Sequence, residues 1–213
     1  MNKDNFFFIL ALLGILMLIA LVLNIDKLFP LPTEEETLTH LASLDQKSTE
    51  RGTNPEAPVL LEEFSDFQCP YCKAAVPLLQ ELNQKYGDTL NIVYKHAPFL
   101  ESHPQAGDAA EASECARQQE KFWAYHDLLF SHQDQLDLGS LKNYAAQLNL
   151  DTERFNTCLT QHEQAHVIER DLNEALERGI QGTPTFFING IKVNGADKDQ
   201  ILLLIEQQLE AKR

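Results

Sequence analysis

Two cysteines lie close together in the stretch SDFQCPYCKAAVP (65–77). Cys69 and Cys72 enclose Pro70 and Tyr71, and Pro77 follows further along. Three chemistries are open to such a pair: half of a metal site, a structural staple, or reversible electron exchange. A zinc site needs a second close pair or a pair of histidines. The remaining cysteines, Cys115 and Cys158, are single and far apart in sequence. A staple across so short a loop would restrict little chain entropy. Exchange needs a thiolate, and a helix N-terminus stabilises one through its unpaired N–H groups and positive dipole end. Pro70 suits the first position of a helix, where its missing N–H costs nothing. Cys69 then falls at the helix start and Cys72 about one turn later, within reach of a sulfur bonded to Cys69. Exchange runs through a mixed disulfide on Cys69, which a second thiol resolves.

The elements that must hold this pair follow from periodicity and turn signals. PVLLEEF (58–64) reads as a strand entering a core, and 70–86 as a helix with apolar residues on one face, stopped by Gly87. TLNIVYK (89–95) reads as a second strand, and a crossover helix between the two predicts a parallel pair. A long helical region follows over 104–178, with Asp151 as an N-cap and Gly179 as a stop. TFFIN and IKVN, around Gly190, predict a tight hairpin, and 197–211 a closing amphipathic helix. The order is β-α-β, helical insertion, β-β-α, an α/β class.

Other residues offer weaker chemistry. Cys115 and Cys158 both fall on predicted helices, and in an oxidising compartment a bridge between them would staple the insertion. Cys158, His162 and His166 recur every four residues, which is metal-ligand spacing on a helix, although solvated histidines are the commoner outcome. Glu62 and Glu63 point to opposite faces of their strand, so only one can face inward. Phe122, Trp123, Tyr125 and Phe130 suit a core more than a groove.

Composition bounds the function. The formal charge is −15, from 32 acidic and 17 basic residues, which excludes a nucleic-acid partner and fits a soluble surface. Residues 6–23, FFFILALLGILMLIALVL, carry no charge. At about 1.5 Å per residue they reach roughly 27 Å as a helix, close to the hydrocarbon thickness of a bilayer. No small-x-small cleavage site follows Ala20, so a signal-anchor is read in place of a cleaved signal peptide or a core helix. Residues 1–25 are thus expected to form a transmembrane helix, 26–57 a linker, and 58–213 the folded domain. Lys3 precedes the apolar run and Lys27 follows it, a weak bias. The cysteines add to the expectation that the domain lies outside.

SDFQCPYC, with GTPTFFING at 182–190 and ECARQQEKFWAYHDLLF at 114–130, resembles the DsbA-like branch of the thioredoxin superfamily, especially its single-domain, often membrane-anchored bacterial thiol–disulfide oxidoreductases. The likeness covers roughly 52–211. It implies a thioredoxin fold with a helical insertion at about 104–178, in agreement with the element order. It implies that Pro184 is cis and faces the active-site sulfurs, so that Thr183 and Pro184 receive a substrate strand. It implies a helix kinked at Pro77, and an acidic residue, Glu63, beneath the disulfide assisting proton transfer.

The resemblance further implies a catalytic pair, Cys69 and Cys72, that oxidises reduced cysteine-containing exported proteins on the extracytoplasmic side of a bacterial cell membrane. A quinone-linked membrane protein would reoxidise it. Neither a metal nor a cofactor is expected. In one respect the chain departs from the strong oxidants of the family. Its dipeptide is Pro70-Tyr71, and Tyr71 cannot offer a cationic imidazole near Cys69, so a milder potential is expected. The alternatives are a reductase or isomerase, or a non-catalytic chaperone-like assembly module.

Overall fold

The computed structural model describes residues 50–51, 54 and 56–212. They belong to one compact unit, Asp45–Arg213. The expected membrane helix (1–25) and most of the linker lie outside the described residues. Among the described residues, no helix is long and apolar enough to cross a membrane.

Strand β1 (Glu50–Arg51) is followed by β2 (Val59–Ser65), helix α1 (Pro70–Tyr86), a 3-10 turn (Gly87–Thr89) and β3 (Leu90–His96). The insertion comprises α2 (Ala106–Arg117), α3 (Phe122–Ser131), α4 (Leu138–Gln147), α5 (Thr152–Thr160) and α6 (Ala165–Glu177). The chain closes with β4 (Thr185–Ile188), β5 (Ile191–Asn194) and α7 (Lys198–Glu210). The described strands form one sheet in the order β1-β3-β2-β4-β5. The β2–β3 pair is parallel, as the crossover requires, and β4–β5 is an antiparallel hairpin. Asn189 and Gly190 turn that hairpin, both with positive φ, the backbone twist a two-residue turn between right-twisted strands needs.

β1 amends the linker reading of 26–57. Glu50 and Arg51 pair antiparallel with Val93 and Ile92 on the free edge of β3. Two residues have no side-chain period to read, and the pairing is made by backbone groups at an edge that offers them.

Alternation along β2 decides what each face meets. Val59 and Leu61 pack with Ala75, Leu79 and Leu82 of α1 and with Ile201 and Ile205 of α7. Phe64 faces the other way, with Phe187 and with Ala175 of α6. Each large apolar side chain so buried contributes about 1.5–3 kcal/mol. On the α6 side, Arg178 grips Glu62 at 2.9 and 3.0 Å and lies 3.5 Å over the Phe187 ring. A second core joins α1 to the insertion and includes Phe67, Tyr94, Phe122, Tyr125 and Phe130. Those aromatics are core residues, with Trp123 half-buried against them.

The local signals act where expected. Asp151 accepts the Arg154 N–H at the start of α5, and Gly87 and Gly179 take positive φ just beyond α1 and α6. The stripe of Cys158, His162 and His166 is broken. The chain leaves the helix after Thr160 and re-enters at Ala165, and His162 sits between with φ 53°. No glycine or proline marks that break in the sequence.

Candidate dithiol active site

β2 ends at Ser65, and four residues bring the chain to the start of α1. The turn is held by Asp66, whose side chain is buried. Its Oδ1 accepts the Gln68 N–H at 2.7 Å, and its Oδ2 accepts the Phe99 N–H at 2.8 Å. His103 Nδ1 meets the same Oδ2 at 2.7 Å. The backbone of Asp66 reaches both cysteines: its carbonyl accepts the Cys69 N–H at 3.1 Å, and its N–H donates to the Cys72 sulfur at 3.4 Å. From the insertion, the Gln133 amide donates to the carbonyls of Phe67 and Cys69 at 2.9 and 2.8 Å. The cysteine turn is therefore clamped from both sides.

Cys69 is the N-cap of α1 and Pro70 opens the helix. Pro77 lies inside α1 without ending it, and lacks the N–H that would bond the Lys73 carbonyl. Both thiols are reduced, and they are not alike. Cys69 is lowered from 9.0 to about 5, first by a hydrogen bond from the Cys72 side chain, against the opposing effect of burial. The Thr183 side chain and the N–H groups of Cys72 and Tyr71 lower it further. Those amides act as dipoles, since neither makes a formal capping hydrogen bond to the sulfur. The Cys69 sulfur also lies 3.4 Å from the Thr183 carbonyl, to which the protonated thiol can donate.

Cys72 is pushed strongly upward. Burial is the main cause, followed by its hydrogen bond to Cys69 and the charge of Glu63. The pair thus shares one proton, carried by Cys72. Glu63 is buried on β2 with Tyr94 and Phe186 as its register neighbours, while Glu62 points to the opposite face. Of the two glutamates, Glu63 is the inward one.

The Thr183–Pro184 peptide is cis. Pro184 is buried at the entry to β4, and its carbonyl accepts the Gly195 N–H at 2.9 Å. An open cavity of about 570 Å³ begins here, walled by Thr183, Pro184, Thr185, Ala74 and the exposed Tyr71. Cys69 itself is only 4% exposed, so its reactivity rests on the opening beside it. Cys69, Cys72, Pro70, Tyr71, Glu63, Thr183 and Pro184 therefore converge. Cys115 and Cys158 do not join them; a disulfide ties α2 to α5 through these two residues. Among the described residues, no group of three His, Cys, Asp or Glu side chains could hold a metal ion.

Asp66, Gln133 and His103 escaped the sequence reading. Asp66 carried one local signal, an aspartate two residues before the amide it caps. Gln133 and His103 carried none, being 64 and 37 residues away from their partners.

A sheet with an acidic, helix-capping cysteine, a buried partner thiol and a cis-proline beside them defines a thioredoxin-type dithiol protein. A family model described as thioredoxin matches residues 47–207. The structure resembles oxidised BdbD from Bacillus subtilis, with a TM-score of 0.69 and 27% identity over 78% of this chain and 94% of that one. It also resembles a thioredoxin-like oxidoreductase from Silicibacter pomeroyi, with a TM-score of 0.68 and 28% identity over 76% and 91% of the two chains. The chain belongs to the thioredoxin superfamily, in its DsbA-like branch, and has the fold of the thiol–disulfide oxidoreductases.

Curated relatives at higher identity are larger. The sodium/proton antiporter NhaA 3 of Salinispora tropica is 44% identical over 140 residues, which is 66% of this chain and 21% of that protein. NhaA 1 of Salinispora arenicola is 42% identical over 141 residues, or 22% of its length. The chain spans about a fifth of these antiporters, so the likeness concerns a shared stretch and carries no transport activity across.

Proposed function

We propose that the protein is a thiol oxidase that forms disulfides in exported proteins through Cys69 and Cys72. One observation carries this reading: Cys69 caps α1 with its sulfur 3.4 Å from the carbonyl of the cis Thr183–Pro184 peptide, while Cys72 is fully buried behind it. A substrate thiolate attacks Cys69 in the Cys69–Cys72 disulfide, and Cys72 leaves and takes up a proton, as a buried thiol must. A second substrate thiolate attacks the substrate sulfur of the mixed disulfide. Cys69 departs readily because its thiolate is stable. The substrate loses two electrons and the protein gains them. Thr183 and Pro184 line the opening through which the substrate backbone would approach, and Glu63 assists the proton at Cys72.

The apolar run at 6–23 would anchor the chain in a bacterial membrane with the domain on the extracytoplasmic side. A disulfide between Cys115 and Cys158 suits that oxidising setting. A quinone-linked membrane protein is the proposed reoxidant. Redox titration against glutathione tests the direction. A potential well above about −270 mV, the thioredoxin value, is expected. A value at or below it would turn the assignment to a reductase, and Cys69→Ser must abolish exchange in either case.

A further inference from the structure

The peptide that joins Ser65 to Asp66 is pinned, and its N–H points at a reacting atom. Its carbonyl accepts the Ala97 N–H at 2.8 Å, one residue past the end of β3. In a trans peptide the N–H points opposite to the carbonyl, so this bond turns the Asp66 N–H away from β3. There it meets the buried Cys72 sulfur at 3.4 Å. The Asp66 side chain locks the same residue: Oδ1 takes the Gln68 N–H at 2.7 Å, and Oδ2 takes the Phe99 N–H at 2.8 Å and meets His103 Nδ1 at 2.7 Å. A carboxylate has only acceptors, so Nδ1 is the donor in that last bond. Gln68 and Phe99 bind through the backbone. His103 binds through a side chain that is 22% exposed, although the Asp66 side chain is wholly buried. A negative charge on a buried sulfur is costly, yet Cys72 must receive the electron pair when the disulfide opens. A fixed N–H aimed at the atom where that charge develops needs no reorganisation at the moment of reaction.

We propose that the Asp66 N–H stabilises the Cys72 sulfur as it leaves the disulfide, and that His103 is the positioning residue that holds this donor in place through the Asp66 carboxylate. This rests on the dithiol exchange proposed above. The substrate sulfur bonds to Cys69, the S–S bond breaks, and its electron pair passes to Cys72. The amide keeps its own proton throughout and contributes only the hydrogen bond. The proton that then makes Cys72 a thiol balances the one the substrate thiol released on ionising. The Asp66 N–H touches the reacting sulfur, and His103 acts through it. Without His103, Oδ2 keeps the Phe99 N–H but loses the partner that fixes it from the solvent side, and the N–H on the same residue loosens with it.

Single-turnover reduction of the full-length oxidised protein by a cysteine-containing peptide tests both halves of this. Placing the α-hydroxy analogue of aspartate at position 66 turns the amide into an ester, which deletes the N–H and keeps every side chain. It is expected to slow reduction on the order of tenfold, less than the loss of a donor to an oxygen anion because sulfur accepts weakly. His103→Ala should slow the step on the order of threefold through misplacement of the donor. His103→Asn, whose amide can still donate to Oδ2, should recover most of that loss. Alkylation of reduced Cys69 should keep its wild-type rate in all three, since that sulfur is not the one the N–H serves. A wild-type reduction rate in the ester variant would overturn the donor role. No loss in His103→Ala, or a loss that His103→Asn does not recover, would overturn the positioning role. A parallel fall in Cys69 alkylation would mark general damage to the turn and overturn both. If the ester variant does not fold, the Asp66 amide proton in NMR spectra decides: its resonance should move when the wild-type disulfide is reduced and move less in His103→Ala, and a resonance that stays put would overturn the donor. A wild-type protein that takes no electrons from the peptide would sink the exchange reading itself, whereas slow variants beside an active wild type leave that reading standing.

Discussion

His103 Nδ1 lies 2.7 Å from Asp66 Oδ2, so an exposed loop after β3 is tied to the buried carboxylate that shapes the cysteine turn. The same oxygen takes the Phe99 N–H at 2.8 Å. Removing the carboxylate would strand two backbone donors and an imidazole together. Each stranded buried donor costs about 1–3 kcal/mol. Asp66→Ala is therefore expected to destabilise the fold by about 3 kcal/mol or more in urea unfolding, and His103→Ala by only about 1 kcal/mol. Equal, small losses in both would show that the carboxylate does not organise the turn.

The acidity of Cys69 sets a pH profile. Its pKa falls from 9.0 to about 5, so alkylation of the reduced protein should rise through pH 5 and level off before neutrality. In the folded reduced protein the group is ionised where the unfolded chain still holds its proton. Its stabilisation is thus complete above 9.0 and drains away as pH falls towards 5. The oxidised protein lacks this contribution, so the stability difference between the two forms should shift with pH across that window. A midpoint for alkylation near that of free cysteine would refute it.

The same asymmetry fixes how the potential depends on pH. Above the Cys69 pKa, reduction takes up one proton, on Cys72, and below it two. For a two-electron couple the slope should be about 30 mV per pH unit in the upper range and about 59 mV in the lower. Titration against glutathione at several pH values reads the break directly. A uniform slope of about 59 mV to pH 8 would mean that Cys69 stays protonated.

Glu63 raises the Cys72 pKa through its charge. In a Cys69→Ser background, which leaves Cys72 as the reporter, Glu63→Gln should move the Cys72 alkylation profile to lower pH. No movement would show that the Glu63 charge is not felt at the sulfur.

The disulfide between Cys115 and Cys158 spans a sequence separation of 43. Closing such a loop stabilises by on the order of 4 kcal/mol in the chain-entropy model. The double variant Cys115→Ala/Cys158→Ala should lose up to that much in urea unfolding while Cys69 alkylation stays unchanged. A loss of Cys69 acidity in that variant would show that the bridge also shapes the active site.

What could be read before folding was written in short spans of chain. Pro70 after Cys69 announces a helix start, Asn189-Gly190 a hairpin, Asp151 a cap and Gly87 a stop, because each acts on backbone groups within four residues of itself. Alternation along β2 made one of Glu62 and Glu63 inward, and the α/β order follows from the same periodicities. The break at His162 was not legible, since no local breaker causes it. Nor was β1, which borrows its order from the edge of β3.

The sequence by itself determined that a reactive cysteine begins a helix and that a strand, a helix and a strand stand in series around it. The tertiary structure alone decided that Thr183, 114 residues away, abuts the Cys69 sulfur, and that Asp66 and Gln133 clamp its turn. The reason is range. A cap or a turn is settled by the energies of neighbouring backbone groups, whereas a sulfur's acidity depends on burial and dipoles that exist only once distant segments have packed together.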